Sequence, residues 1–410
     1  MTKSEQLKLL NVGSAVNRLE NLKLLLAEEQ EAGLRKPQYA NNHIHTTYSF
    51  SPYSPTAAVY FARAAGLETA GIMDHDSIGG AKEFRKAGEM AGVAVTCGIE
   101  CRVDMRETSL AGWRFNNPDQ KGIAYMLMHS VMPDRYDFVQ EAFAPLRERR
   151  NVRNRKMVER INEIVMESAL STILLEPESN SERSRRFLDN GITLDFDRDV
   201  IPVSLYQEGG TVTERHILWA LSGKMVEYFG PEGTAKLLEK LGINLKDFEQ
   251  AKLVVGNVDI QYDLLGIFKA YFVEQFYLPT TDECLTLKQA IALAKQAGAI
   301  LCYSYLGDVE ESVTGDKRSE QYEDGYLDEL FEMLHKEGIE AITYSPSRNT
   351  KAQILRVQAL CKQYQMLEIS GEDINSPSQS FICEKLVEPE FAHLVDATWD
   401  LIAREKQETQ

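Results

Sequence analysis

Two blocks in which short apolar runs alternate with amphipathic helical stretches constrain the fold of this chain most strongly. The first block extends from about residue 40 to residue 134, and the second begins near residue 266. Parallel strands need crossover connections, usually helical, so this alternation predicts an α/β fold with a parallel sheet or barrel. In such barrels, active sites are built at the C-terminal ends of the strands.

A strongly charged helical segment separates the two blocks. We therefore predict one barrel, formed by residues 39–134 and 266–395, that is interrupted by a helical insertion domain of residues 135–265. The insertion includes the stretches ERRNVRNRKMVERINEIVMES, SERSRRFLDNG and TERHILWALSGKMVEYFG. Charged side chains between apolar positions at helical spacing are typical of solvent-facing helices.

The two ends of the chain lie outside this barrel pattern. Residues 1–38 are predicted to form a helical extension, with one helix from residue 5 to about residue 34 that is stopped by Gly33 and Pro37. Its apolar face predicts packing against the main domain or against a second subunit, and the oligomeric state stays open. Residues 396–410 are a C-terminal tail.

Composition excludes several classes of protein. The 45 basic and 62 acidic residues give a formal charge of −17, which argues against binding of long duplex nucleic acid through its phosphates. The six cysteines form no C-x-x-C pair, so we expect reduced thiols. The N-terminal MTKSEQLKLL lacks the apolar core of a signal peptide, and no run approaches the roughly 18 apolar residues of a membrane span. A cytoplasmic location without membrane contact is therefore expected.

Polar residues of one chemical kind follow successive predicted strands. Two histidines flank one apolar residue in NNHIHTTYS, where alternate side chains of a strand share a face. The later strands end in DHD, in GIE, in a histidine and in GEDINS. The complete set is His43, His45, Asp74, His75, Asp76, Glu100, His129 and Asp373.

Imidazole and carboxylate groups together are ligands for zinc, iron or manganese in hydrolytic sites. A bound ion of this kind lowers the pKa of water and supplies hydroxide at neutral pH. Each residue alone also has a structural explanation, such as a hydrogen-bonded strand histidine or a capped turn. The metal-site interpretation depends on four successive segments each ending in a ligand type.

These motifs resemble the PHP family, named for its polymerase and histidinol phosphatase members. The family order is H-x-H-x-x-x-S, D-H-D, G-x-E, a strand histidine, A-H-P and S-D-x-H. This chain has HIH with Ser49, then DHD at 74–76, GIE at 98–100, and His129, in that order. The resemblance covers residues 39 to about 390 and is strongest to bacterial phosphoesterases that carry a helical insertion.

The resemblance implies a distorted (β/α)7 barrel with up to three metal ions in its mouth. His43, His45, Glu100 and Asp373 would hold the first ion, Glu100 and His129 a second, and His75 a third. Asp74 and Asp76 would orient these ligands. It also implies hydrolysis of phosphate esters of a small molecule, a nucleotide or a short oligonucleotide by metal-activated hydroxide.

The sequence departs from the family pattern at three positions. Phe50 replaces an acid after the serine of the first motif, Tyr303 stands at the A-H-P histidine, and Asn375 stands at the last histidine of S-D-x-H. One strong metal site and weakened further sites are therefore expected. The alternative is a divergent PHP domain with reduced or no catalysis that binds a phosphorylated ligand or a partner.

Candidate substrate contacts are less clearly marked than the metal ligands. Ser49, Arg348, Tyr303 and Asn375 are predicted to contact substrate, and the Arg348 guanidinium could grip a phosphate bidentately. The basic run of Arg147, Arg149, Arg150, Arg153, Arg155 and Lys156 is interpreted as a solvated helix face, with a cationic lid over the site as the alternative.

Overall fold

The computed structural model describes residues 1–28, 35–117, 119–175, 192–254, 256–257, 259–311, 318–320 and 323–407. The predicted helical stretch at 181–191 and the stop at Gly33 lie outside these residues. Within the described part of the chain, no helix has both the length and the apolarity needed to cross a membrane.

A curled sheet forms the centre of the molecule. The described strands are β1 (Tyr39–Ile44), β2 (Leu67–His75), β3 (Ala94–Asp104), β4 (Ile123–His129), β5 (Leu285–Thr286), β6 (Ile300–Ser304), β7 (Val309–Glu311), β8 (Arg318–Glu320), β9 (Ala341–Tyr344) and β10 (Leu367–Ser370). The sheet order is β1-β2-β3-β4-β6-β9-β10, with β5 beside β3, and β7 and β8 form a separate hairpin. The predicted α/β barrel class is confirmed, and the seven strands of the main order form a curled half-barrel.

Helices surround the sheet and build the segment that interrupts it. They are α1 (Lys3–Asn11), α2 (Ala15–Glu28), α3 (Pro55–Ala65), α4 (Ala81–Ala91), α5 (Tyr136–Leu175), α6 (Glu214–Lys240), α7 (Asp247–Gln250), α8 (Ile260–Tyr271), α9 (Val273–Phe276), α10 (Leu287–Gln296), α11 (Leu327–Glu337), α12 (Lys351–Tyr364) and α13 (Ala392–Gln407). The described residues of the segment from α5 to α9 are mainly helical, as its charged amphipathic sequence predicts.

One strand runs against the predicted parallel direction. β4 pairs antiparallel with both β3 and β6, whereas the other neighbours in the seven-strand order are parallel. The connection from β3 to β4 carries turns and bends instead of a crossover helix, so β4 returns along its neighbour. The first residues of β4 therefore lie beside the C-terminal ends of the parallel strands.

A single bridge brings the last strand region back to the first. Ile44 and Ile374 pair in parallel, with His45 N donating to Ile374 O and Ile374 N donating to His43 O, each at 3.0 Å. Asn42 Nδ2 also donates to Ser370 O at 3.0 Å. These contacts place the segment after β10 directly beside the end of β1.

The N-terminal extension consists of two helices instead of the single helix predicted. Gly13, with φ of 78°, lies between α1 and α2, and a left-handed conformation ends a helix. Arg18 of α2 is buried and binds Glu83 of α4 bidentately, at 2.9 Å and 2.6 Å. Leu10 and Leu22 join the core of the barrel, so these helices pack against their own main domain.

Candidate metal centre

Three imidazoles converge on one carboxylate oxygen. Glu100 Oε2 lies 3.5 Å from His43 Nε2, 3.5 Å from His45 Nε2 and 2.9 Å from His75 Nδ1. Asp373 Oδ1 lies 3.3 Å from His45 Nε2. The structure thus brings together five of the residues that the sequence singled out.

The strand geometry explains this convergence. His43 and His45 are alternate residues at the end of β1, so their rings point the same way and lie 5.0 Å apart. The β2–β3 register pairs His75 with Glu100. Asp373 reaches the group because of the bridge at Ile374.

The donor atoms of His43, His45 and Glu100 suit a divalent cation. They all lie within 4.8 Å of one another, and all three residues are buried. His43 Nε2 is buried, and apart from the ion-pair contact with Glu100 Oε2 at 3.5 Å it makes no hydrogen bond to a described residue. Since buried polar atoms are normally satisfied, this orphaned nitrogen indicates a missing partner such as a metal ion.

The electrostatics of the cluster keep Glu100 ionised. Burial favours the neutral acid, but the charges of His75 and His43 outweigh it and hold the pKa of Glu100 below its ordinary value. Burial by itself would lower the pKa of His43, but the neighbouring Glu100 outweighs that effect and raises the pKa of His43 above its ordinary value. Burial lowers the pKa of His45. The lowered pKa values of Glu100 and His45 favour an ionised carboxylate beside a neutral imidazole, the forms in which these two residues act as ligands.

Asp74 fixes the orientation of His45 through one hydroxyl. Its carboxylate accepts hydrogen bonds from Thr46 N at 2.6 Å, Thr46 Oγ1 at 2.5 Å and Ser49 Oγ at 2.6 Å. Ser49 Oγ lies 3.2 Å from His45 Nδ1. Ser49 is fully buried, so it supports a ligand and does not reach the cavity as a substrate contact.

A cavity of about 300 Å³ adjoins the cluster. Its lining combines His43, His45, His75, Glu100 and Asp373 with residues of the barrel loops and of the helical segment. Sequence reasoning missed the helical contribution of Arg215, Lys269 and Tyr277, and also Tyr125 and Ser304 of the barrel. Lys269 lies on the amphipathic helix α8, and the sequence around it contains no motif that marks a site residue. It faces the cavity only because of the way α8 packs.

The chain is similar in sequence to one family of known proteins. The family model described as PHP domain matches residues 41–404. This chain belongs to the PHP family.

Two solved structures share the PHP fold of this chain. One, from Bifidobacterium adolescentis, is described provisionally as a metal-dependent phosphoesterase. Its TM-score is 0.54, its sequence identity is 18%, and the match covers 92% of this chain and 100% of the other chain. The other, from Chromobacterium violaceum, is described as an amidohydrolase with bound sulfate and no metal. Its TM-score is 0.51, its sequence identity is 14%, and the match covers 88% of this chain and 97% of the other chain. No curated protein matches the chain.

His129 does not join the PHP ligand cluster. Because β4 is antiparallel, His129 at its C-terminal end pairs with Ile300 at the start of β6, away from the mouth. Its Nε2 lies 3.1 Å from Thr343 Oγ1, and burial lowers its pKa to about 3. Tyr125, near the start of β4, lies at the mouth instead, with its ring 5.9 Å from the His75 ring.

Tyr303 is also turned away from the site. Its side chain is buried, and its hydroxyl donates to Glu323 Oε1 and accepts from Asn116 N at 3.3 Å. Burial raises the pKa of Tyr303 above its ordinary value, which opposes the phenolate form that a metal needs. The next residue, Ser304, lines the cavity, since successive residues of a strand face opposite sides.

Phe50 belongs to the core of the helical segment. Its ring meets His216, Trp219 and Tyr262 at centroid distances of 5.0, 6.0 and 6.4 Å. An acid at this position would be buried among apolar rings, so the replacement of the usual PHP acid by Phe50 has a physical reason.

Asn375 and Arg348 line the cavity, and the substrate contact expected of them stays a prediction. Asn375 Nδ2 donates to Asp373 Oδ1 at 2.6 Å, and its Oδ1 accepts from Arg215 Nη1. Arg348 Nε donates to Leu306 O at 3.1 Å. Asn375 therefore connects a candidate ligand to the helical segment.

The basic run is not a uniformly solvated face, so that interpretation is wrong for half of it. Arg147, Arg150 and Arg153 are buried, whereas the Arg149 and Arg155 side chains are 50% and 44% exposed. The three buried guanidinium groups lie between the helical segment and the barrel, because they bind carboxylates and carbonyls from both.

Proposed function

We propose that this PHP domain is a metal-dependent hydrolase of phosphate esters. The observation that carries the proposal is the convergence of His43, His45 and Glu100, with one buried imidazole nitrogen unsatisfied, beside a cavity. Membership of the PHP family supports it, and so does the provisional description of one similar structure as a metal-dependent phosphoesterase; the description of the other as an amidohydrolase supports hydrolysis only. The substrate would be a small phosphorylated molecule, a nucleotide or a short oligonucleotide.

His43, His45, Glu100 and Asp373 are the residues that we propose as ligands of one zinc, iron or manganese ion, with His75 beside them. When bound there, such an ion would supply hydroxide at neutral pH and polarise a phosphoryl oxygen. Asp74 and Ser49 hold His45 in the required orientation. We propose one strong site, because His129 and Tyr303, expected at the second site, contact Thr343 and Glu323 instead, and the third site keeps only His75 of its expected ligands.

The chain's own cations would recruit the phosphate. Arg348, Arg215 and Lys269 line the same cavity as the ligand cluster. The chain carries a formal charge of −17, so these side chains are where an anionic substrate would meet a favourable local field. A guanidinium can bind two phosphate oxygens at once.

Metal content and hydrolysis of a panel of phosphate esters test this function. Protein purified without chelators should contain about one ion per chain, measured by inductively coupled plasma mass spectrometry, and should cleave at least one ester. His45→Ala and Asp373→Ala should lose both properties. His393→Ala is the matched control, since His393 lies on α13 near Glu368 and outside the cavity lining.

Two results would contradict the proposal. Ala variants that equal wild type in metal content and activity would show that the ligand assignment is wrong. Bound metal without turnover of any ester would favour the divergent binding domain instead, an alternative that the misplaced His129 and Tyr303 support.

A further inference from the structure

The turn after β2 holds a strained residue next to a candidate ligand. Asp76 has φ of 48°, in the left-handed region that residues with a Cβ rarely adopt. It is buried, and its main-chain N–H donates to Glu100 O at 2.8 Å. Because Asp76 follows His75 directly, its conformation decides how His75 leaves the strand towards Glu100.

Two buried arginines of α5 hold this residue from the helical segment. Arg150 Nη1 donates to Asp76 Oδ2 at 2.6 Å, and Arg147 Nη1 donates to Asp76 O at 2.8 Å. The arginines are three positions apart, so they share one face of the helix. A strained backbone conformation persists only where its surroundings enforce it, and here the surroundings are these two side chains.

A chain of alternating charges fixes Arg150 in turn. Glu214 accepts from Arg150 Nη2 at 3.3 Å and from Arg153 Nη2 at 2.6 Å. Glu283 Oε1 accepts from Arg153 Nε and from Arg102 Nη2, each at 2.7 Å. Arg102 lies on β3, the strand that carries Glu100. The network therefore connects Asp76, which directly follows β2, with Arg102 on β3, and these are the two strands that position His75 and Glu100.

We propose that Arg150 is a positioning residue of the metal centre, which acts through Asp76 to hold His75 against Glu100. Docking of the helical segment on the barrel and assembly of the ligand cluster then occur as one event. Arg150 also lines the cavity, but both of its Nη atoms are bonded to carboxylates of the protein. The proposal rests on the proposed function only in treating His75 and Glu100 as ligands.

The test uses the metal-free, full-length protein labelled with ¹⁵N-histidine. Two-bond ¹H–¹⁵N spectra report each imidazole, and His75→Asn assigns the His75 signals. Arg150→Met and Arg150→Lys should both shift the His75 ring nitrogens, because a single ammonium cannot hold two carboxylates as a guanidinium does. The apparent Kd for Mn²⁺ should rise by about tenfold or more. Arg149→Met, the exposed neighbour on the same helix, should change neither property.

The possible results separate positioning from other roles. If Arg150→Met does not fold, Asp76→Asn replaces it: it keeps the volume, weakens the charge-assisted bond and should shift the same signals by less. Unchanged His75 signals and unchanged Kd, with only KM raised, would make Arg150 a substrate contact and overturn the proposal. The spectra need neither metal nor substrate, so a failure of the proposed hydrolysis would not be mistaken for a failure of this contact.

Discussion

Replacing Asp74 with asparagine tests whether the side chains behind His45 determine how tightly the site holds an ion. The buried carboxylate accepts three hydrogen bonds, two from Thr46 and one from Ser49, at 2.5–2.6 Å. Ser49 in turn contacts His45 Nδ1 at 3.2 Å. Asparagine has the same shape, but it lacks the charge and its Nδ2 cannot accept a hydrogen bond.

The magnitude follows from these bonds. Hydrogen bonds to a charged group contribute about 1.5–3 kcal/mol each, and neutral ones contribute about 0.5–1.5 kcal/mol. Asparagine would keep the two bonds at Oδ1 as neutral bonds, and the Thr46 hydroxyl can rotate to accept from Nδ2. We therefore expect a loss of about 1 kcal/mol per bond, or about 3 kcal/mol of unfolding free energy in all. Loosening the support of a ligand should also weaken metal affinity by about 10–100-fold.

Competition with a chromophoric chelator measures the metal affinity of Asp74→Asn, and thermal unfolding measures its stability. Asp197→Asn is the control, because this exposed carboxylate binds Arg155 and lies outside the cavity lining. If Asp74→Asn loses stability but retains wild-type affinity, the contact from Ser49 to His45 does not orient the ligand, and the reasoning is refuted.

Three further predictions concern other residues. Tyr303→Phe should keep the metal content of wild type and lower the unfolding free energy by about 1–3 kcal/mol, because buried Glu323 loses a donor; metal analysis and thermal unfolding measure this. Burial raises the pKa of Glu405 from 4.5 to about 7. Between pH 4.5 and about pH 7 the folded chain therefore keeps a proton on Glu405 that the unfolded chain has lost. Because the folded state binds the extra proton, stability falls as the pH rises through this range. Glu405→Gln should make the fall in melting temperature between about pH 5 and about pH 8 smaller. Phe50→Ala should cost about 3–5 kcal/mol and alter the fluorescence of Trp219, whose ring lies 6.0 Å from Phe50.

Each of these predictions has an outcome that contradicts it. Loss of metal from Tyr303→Phe would make Tyr303 a ligand after all. An equal or steeper pH dependence in Glu405→Gln would show that another group titrates. Phe138→Ala, at a residue that is 38% exposed, is the control for Phe50→Ala, and equal costs would mean that Phe50 is not part of the core.

The local pattern of the sequence predicted the ligand cluster well where a motif and the strand direction agreed. His43 and His45 share a face because of the period of a strand, and Asp373 follows the end of β10; Glu100, predicted at a strand end, lies within β3. Those properties are local, so the residue types and their spacing suffice to find them. The α/β alternation and the helical interruption were equally visible, because amphipathic periodicity is written along the chain.

His129 and Tyr303 could not be placed in this way. Whether His129 reaches the mouth depends on the direction of β4, which is set by its pairing with β3 and β6. Whether Tyr303 or Ser304 faces the cavity depends on register, and a shift of one residue exchanges the two faces of a strand. A linear sequence motif gives neither the direction of a strand nor its register.

The sequence by itself determined the family, the fold class and the residue types that could hold a metal ion. Only the tertiary structure decided which of them meet, and that three arginines of the basic run are buried between the helical segment and the barrel. The physical reason is that a buried guanidinium group needs acceptors, which are carboxylates for Arg150 and Arg153 and main-chain oxygens for Arg147. Their partners Asp76, Glu214 and Glu283 are scattered along the chain and come together only when it folds.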